Sequence, residues 1–487
     1  MVSIDVLPDD VLLDIFNIYC VDQNRSQDRP LQFIYLEMKE EIESWQTLVH
    51  VCRRWRTVAF GSPLYLNLEL VCTAQTPARD TLDVWPPLPL VIWSPDDSRA
   101  NCDFLTESVG NIIAVLERRD RVCQIHLDAI PASRMKELLA AVQEPFPELT
   151  YLLLRSYGGP IIPDSFLGGS APRLEALCLK GISFPGLPKL LLSATRLVDL
   201  RLQNIPHSGY ISPEVMATML SSLTCLGGLI LEFGSPQSRP GHESRPPLTH
   251  FVLPVLTNFN FKGVSYYLEY FVARIDAPQL NRLYINIVNY IVFDTPQFVQ
   301  FVNRTPKLKA LEKGQVIFGD NATRVKLSPV SSLTSYREGL GVKLPCRGRL
   351  DREVWLLEHV FTLSLPPHPA LEDLYIYRDL NSQTDFQDDN IKNAIWLELL
   401  HLFPAVKNVY LCGEFAPRIM PALQELVGSR ATEVLPNLQN ILLEKLQSSG
   451  FVQEGIQEFI AARQGTSHPI GISPWDNSKQ DKVFDGW

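Results

Sequence analysis

The chain has 487 residues, 46% hydrophobic and 20% charged, and its 44 basic and 54 acidic side chains leave a net charge of −10. That length exceeds what one compact core serves, so several domains or a repeat array are expected. The acidic balance argues against a general nucleic-acid binder, which needs a basic surface to neutralise phosphates.

The first seventy residues predict two short apolar helices. In the first, Pro8 suits an opening helical position because it has no N–H to lose, and Asp9 and Asp10 complement the positive helix start. Val11, Leu12, Ile15, Phe16 and Tyr19 then fall on one helical stripe. A second helix is signalled by Ser44 as N-cap and stopped by Gly61 and Pro63, with Leu48, Val51, Cys52, Trp55 and Val58 at helical spacing. A unit this small cannot build a sizeable core, so part of its apolar surface is expected to meet another chain. Leu12, Ile15 and Leu48 are also suited to packing against the rest of this chain.

Leu7-Pro8, the Ile15-Phe16 pair and the Val51-Cys52-Arg53-Arg54-Trp55 block resemble the F-box motif. The resemblance implies docking on the Skp adaptor of an SCF (Skp–cullin–F-box) ubiquitin ligase and, through it, on cullin. It makes Leu7, Pro8, Val11, Leu12, Ile15, Phe16, Leu48, Val51, Cys52 and Trp55 the adaptor-facing residues. The downstream wording looks like the long F-box proteins of mushroom-forming fungi. One departure stands out: an acidic, polar insert at about 21–43 separates the two matching halves.

Beyond the helices, Leu64, Leu66, Leu68 and Leu70 alternate as a strand would. A Pro-rich polar connector follows, within which Leu88–Trp93 reads as a short strand. From there a triplet recurs: apolar, two positions, apolar, one position, apolar. It stands at Val122/Ile125/Leu127, Leu149/Leu152/Leu154, Leu174/Leu177/Leu179, Leu197/Leu200/Leu202 and Leu226/Leu229/Leu231. It continues at Leu256/Phe259/Phe261, Leu280/Leu283/Ile285, Leu371/Leu374/Ile376, Val406/Val409/Leu411 and Leu438/Ile441/Leu443. This is the spacing of leucine-rich repeats, whose units each have an apolar side that only a stacked neighbour can hide. The segments between triplets carry N-cap residues and amphipathic spacing and predict return helices. Residues 308–350 blur the pattern and read as one or two degraded repeats. Residues 234–249 read as a loop on the rim.

The predicted fold is α/β: a helical F-box over 1–70, a connector over 71–101, a right-handed leucine-rich-repeat-like solenoid over 102–463 with parallel strands on its concave face, and a disordered tail over 464–487. Period-2 alternation sends the motif residues inward. It sends Arg155, Lys180, Arg201, Arg282, Tyr284, Tyr375, Tyr377 and Tyr410 to the concave surface. Arg and Tyr are common interface anchors, so Arg155, Arg201, Arg282, Tyr284, Tyr375, Tyr377 and Tyr410 are the candidate target-binding residues. An acidic or phosphorylated segment reaching Arg201 and Arg282 is the expected cargo.

The nine cysteines are scattered with no C-x-x-C pair, as reduced thiols of an intracellular protein would be. Asp5, Asp9 and Asp10 stand where a secretory leader needs positive charge, and no segment has the roughly 18 apolar residues of a membrane span. The expected location is cytoplasm or nucleus, with no membrane partner. Phosphate-loop, dinucleotide, H-E-x-x-H and G-x-S-x-G motifs are all missing, so neither an enzyme nor a cofactor is expected. The leading expectation is a ligase substrate receptor. The alternative is a non-catalytic assembly scaffold that uses its F-box outside a ligase.

Overall fold

The computed structural model describes residues 6–23, 45–94, 106–234, 250–288, 295–329, 338–345, 350–363, 365, 370–379, 392–426, 430, 432–444, 459–461, 463 and 469–475. Most of the insert expected at about 21–43, the rim loop after residue 234, most of the return segment that follows the last triplet and the tail after Trp475 lie outside the described residues. The chain divides into two units, Met1–Tyr210 and Ile211–Trp487. Both are mixed α/β, with mostly parallel sheets.

Unit one opens with α1 (Asp9–Gln23), α2 (Trp45–Val51) and α3 (Arg53–Gly61). The single helix expected from Ser44 breaks at Cys52, whose extended backbone (φ −157°, ψ 170°) ends α2. The Cys52 thiol accepts the Trp55 N–H at 3.5 Å and so caps α3. Residues 64–69 do not form the expected strand, which begins only at Leu70. Asn67 adopts a left-handed conformation (φ 48°), and the chain curls into turns that bury Leu66 and Leu68 and leave Leu64 86% exposed.

Six parallel strands follow side by side in chain order: β1 (Leu70–Thr73), β2 (Leu90–Ser94), β3 (Val122–Pro131), β4 (Tyr151–Tyr157), β5 (Ala176–Lys180) and β6 (Asp199–Ile205). Between them run α4 (Ala78–Val84), α5 (Thr106–Leu116), α6 (Ala132–Ala141) and α7 (Leu187–Ser193). The expected connector at 71–101 therefore contributes two sheet strands and a helix. Its strands are buried on both faces, as Val71, Val91 and Trp93 show beside Cys72 and Ile92. A strand covered on both sides is apolar throughout and has no alternation to read.

Unit two begins with α8 (Pro213–Leu220), β7 (Gly228–Phe233), β8 (Phe251–Val252), β9 (Asn258–Gly263), α9 (Ser265–Val272), β10 (Ile275–Asp276), β11 (Arg282–Ile287) and α10 (Pro296–Arg304). Then come β12 (Lys313–Phe318), β13 (Ala322–Ser328), β14 (Gly339–Pro345), α11 (Leu350–Leu363) and β15 (Asp373–Arg378). The last described elements are α12 (Asn393–His401), β16 (Asn408–Leu411), α13 (Ala416–Gln424), β17 (Asn440–Glu444) and β18 (Gly471–Trp475). Its main sheet runs in the order β7-β9-β11-β14-β13-β12-β15-β16-β17-β18. The short β8 and β10 pair with each other.

Two expectations change here. Residues 308–350 are not degraded parallel repeats: β13 is antiparallel to both β12 and β14, while β14 joins β11 and β12 joins β15 in parallel. Gly319-Asp320-Asn321 is too short a link for a parallel crossover and suits a hairpin. The segment from 464 onward is not wholly without structure either, because β18 adds to β17 in parallel.

The core follows the triplets. Every one of the motif residues from Val122 to Leu443 is at most 4% exposed. At about 1.5–3 kcal/mol for each buried aliphatic or Phe side chain, they dominate the stability of both units.

Candidate interaction surfaces

Helix α1 is apolar on two faces. Leu12, Phe16 and Cys20 are buried, at spacing i, i+4, i+8, and the Phe16 ring lies 4.8 Å from that of Trp55 on α3. Val11 (38% exposed), Ile15 (40%) and Ile18 (64%) form a second stripe that faces solvent. The module is tied together by the Arg54–Asp9 ion pair at 2.7 Å and by Arg56 Nε donating to the Val49 carbonyl at 2.9 Å. The Tyr65 hydroxyl donates to Asp14 at 2.8 Å, which draws the turns after α3 onto α1. Trp45 is buried; its Nε1–H donates to the Glu69 carbonyl at 2.9 Å, fixing the helices to the start of the sheet.

The ten predicted adaptor-facing residues accordingly divide. Leu12, Phe16 and Leu48 are interior, Cys52 caps a helix, and half-buried Trp55 packs on Phe16. These five hold the module together. Val11, Ile15 and Val51 (58% exposed) are exposed together with Pro8, and Leu7 is half-buried. Ile18 belongs with the exposed group and went unnoticed, although its i+7 spacing from Val11 was visible.

On unit one's sheet, the face away from the motif leucines is largely closed near its first strands. Register places Trp93, His126, Leu153, Cys178 and Arg201 in one row. Trp93, His126 and Leu153 are buried. His126 lies 4.1 Å from the Trp93 ring, and burial together with nearby Arg155 lowers its pKa to about 4. It is neutral at ordinary pH. Arg155 and Arg201 are half-buried and already matched with acids: Arg155 pairs with Asp128, and Arg201 reaches Asp199 through Nε at 2.9 Å and Nη2 at 2.7 Å. Cargo phosphate at Arg201 would have to displace that carboxylate.

In unit two, Tyr375 and Tyr377 are buried, contrary to their expected display. Tyr375 stacks on Tyr410 at 4.0 Å, with Trp475 against both at 5.8 and 5.5 Å. This cluster holds β18 on the sheet. Beside it, Asn440 donates to Asn408 at 2.8 Å and Asn408 to Asp373 at 2.7 Å, a polar ladder across three strands.

Arg282 and Tyr284 come to a different setting. Tyr284 lines a shallow, largely apolar depression with Ile317, Arg324, Lys326, Glu338 and the backbone of Gly339–Gly341, while Arg282 lies outside its lining, on the same strand. A Cβ on Gly341 would lie 2.7 Å from the Tyr284 ring, so the missing side chain is what lets that ring settle across β14. Arg324 pairs with Asp379 at 3.0 Å, and Glu338 accepts from Asn281 at 3.1 Å. Burial and neighbouring Arg282 push the Lys326 pKa down to about 8; burial and then Arg324 and Lys262 lower that of Lys343.

Among the described residues, no cluster of three or more His, Cys, Asp and Glu is placed to hold a metal, and no helix is long and apolar enough to cross a membrane. No protein-family model matches the chain, and no curated protein does. Among solved structures it is similar to the leucine-rich repeat-containing protein LegL7 from Legionella pneumophila. That match has 14% identity over 69% of this chain and 90% of the other, with a TM-score of 0.27.

Proposed function

We propose that the chain is the substrate-recognition subunit of an SCF-type ubiquitin ligase, docking on the Skp adaptor through its N-terminal helices and holding a target protein on a sheet face. The observation that carries the adaptor half is the second apolar stripe of α1. Val11, Ile15 and Ile18 stay exposed although Leu12, Phe16 and Cys20 already supply the helix's internal packing. Exposed apolar residues in a row on one helix suit an interface. Their place within the segment resembling an F-box names the partner. The chain contributes no chemistry of its own in this reading. It supplies proximity, bringing a target lysine near a ligase-bound conjugating enzyme.

Affinity purification of the full chain tests it. Recovery of the Skp adaptor with cullin and a RING protein supports the ligase reading. Adaptor without cullin supports the assembly scaffold instead, and failure to recover adaptor removes both.

A further inference from the structure

We propose that the edge of β17 is a strand-addition site for an extended target segment, and that β18 is the chain's own occupant of it. This refines the target-binding half of the reading above and is independent of the adaptor half. β18 stands last in its sheet and is paired on one side only. None of its five side chains is buried, whereas every other strand of unit two's main sheet buries at least two. It therefore lacks the apolar anchors that fix its neighbours. Backbone pairing holds it, with the Gly471 N–H donating to the Gln439 carbonyl at 2.7 Å, together with the Trp475 ring against Tyr375 and Tyr410. Backbone pairing is indifferent to sequence, so a segment of another protein can supply it equally well. The firm attachment ends one residue earlier. Ile470 is buried, and before it Arg463 donates to the Val434 and Leu435 carbonyls at 2.9 and 3.0 Å. Gly471–Trp475 can thus leave the edge while the chain before it stays docked.

The occupant shows what the edge accepts. Register pairs Gly471 with Asn440, Ser473 with Leu442 and Trp475 with Glu444, and Leu442 in turn with Tyr410. Strand alternation therefore puts Gly471, Ser473 and Trp475 on the tyrosine face, and Ile472 and Pro474 on the side of the motif residues Ile441 and Leu443. The first position must be small, because a Cβ on Gly471 would lie 3.0 Å from the Asn440 Oδ1. The third is exposed and open to any residue. The fifth takes an aromatic ring, which meets Tyr410 at 69° and Tyr375 at 60°, close to the favoured edge-to-face arrangement. Since the Gly471 N–H points at β17, Ile472 and Pro474 face the open edge. Proline there loses no ladder bond and denies a further strand its donor. The partner that fits is an extended segment, parallel to β17, reading glycine, apolar, any residue, apolar, aromatic.

The probe is a labelled, end-blocked peptide Gly-Ile-Ser-Pro-Trp, titrated against the full chain by fluorescence anisotropy. In the wild-type chain the tethered copy competes at an effective concentration on the order of millimolar, so the peptide binds weakly. Ile472→Asp/Trp475→Ala empties the edge by removing the ring and setting a carboxylate beside the motif residues. It should bind the peptide at least about tenfold tighter than wild type does (about 1.4 kcal/mol). Adding Tyr410→Ala should cancel that gain, and peptides carrying Gly471→Val or Trp475→Ala should bind at least about tenfold more weakly. Amide exchange on the wild-type chain needs no variant. With the peptide in large excess, exchange in Gly471–Trp475 should rise while β12 and β15 stay protected. Equal binding to wild type and to a double variant with matching urea unfolding overturns the proposal. So does equal binding of the Trp475→Ala peptide, or exchange that the peptide leaves unchanged. The helix variant Ile18→Asp/Val51→Asp should show the same peptide-induced exchange as wild type, so failure of the adaptor reading and failure of this one are separate results.

Discussion

Ile18→Asp/Val51→Asp is the sharpest test of the helical surface. Ile18 is 64% exposed and Val51 58%, so neither supports the fold and their loss should change stability by no more than about 0.5 kcal/mol. Full burial of an aliphatic side chain is worth about 1.5–3 kcal/mol, and covering the exposed part of each gives about 1–2 kcal/mol. Losing both contributions weakens adaptor binding by about thirty- to a thousandfold, before the added penalty of desolvating two carboxylates. The assay is titration of purified Skp adaptor against the full chain, with urea unfolding as the stability control. A double variant that folds normally and binds the adaptor as tightly as wild type refutes the assignment of this stripe. Leu12→Ala and Trp55→Ala would be a poor test, because Leu12 is fully buried and Trp55 packs on buried Phe16. Their loss of binding would report unfolding.

Leu12→Ala should cost about 2–5 kcal/mol in urea denaturation, with the spread set by how far the module collapses around the cavity. His126 is 4% exposed with its pKa lowered to about 4, so the unfolded chain binds the extra proton between about pH 6.5 and 4. Stability is thus present above about pH 6.5 and lost as pH falls toward 4, by about 3 kcal/mol; His126→Gln should flatten that part of the profile. Gly339→Ala should lower the melting temperature sharply, since φ is +123° and a Cβ would lie 2.0 Å from the Leu327 carbonyl oxygen. Trp475→Ala should raise amide exchange in Gly471–Trp475 while leaving β12 and β15 protected, because it removes the ring that clamps β18 onto Tyr375 and Tyr410.

What could be read from the sequence depended on whether one face of an element was polar. The triplets were legible because their strands alternate, as in Leu177 and Leu179 buried around half-buried Cys178. Val71 sits on a strand covered from both sides, so its segment passed for a linker, while the strand read at Leu88–Trp93 forms at Leu90–Ser94. Helix α1 failed in a related way. One broad apolar stripe in the sequence becomes two faces in the structure, and spacing alone does not say which is spent on Leu12 and Phe16 and which is left at Ile15 and Ile18. Tyr375 and Tyr377 were placed on the correct strand but taken as displayed; their burial comes from neighbours that strand parity does not reveal.

The depression beside Tyr284 was hidden for a topological reason. A uniform parallel array draws its outward residues from positions between motif leucines, and Arg282 and Tyr284 were found that way. Arg324, Lys326 and Lys343 belong to the stretch where the repeat lapses. They reach the same face only because β13 runs backwards between β12 and β14. The three-residue link Gly319-Asp320-Asn321 was the available signal, since it permits a hairpin and forbids a crossover. Net charge was no guide to that face either. A total of −10 sums over the whole chain, whereas electrostatic recognition is set by the charges within about 10 Å of the ligand. On the face that β13 shares with β14, Arg324, Lys326 and Lys343 stand with Glu338 and Asp379, a mixture that a sum over the whole chain does not describe.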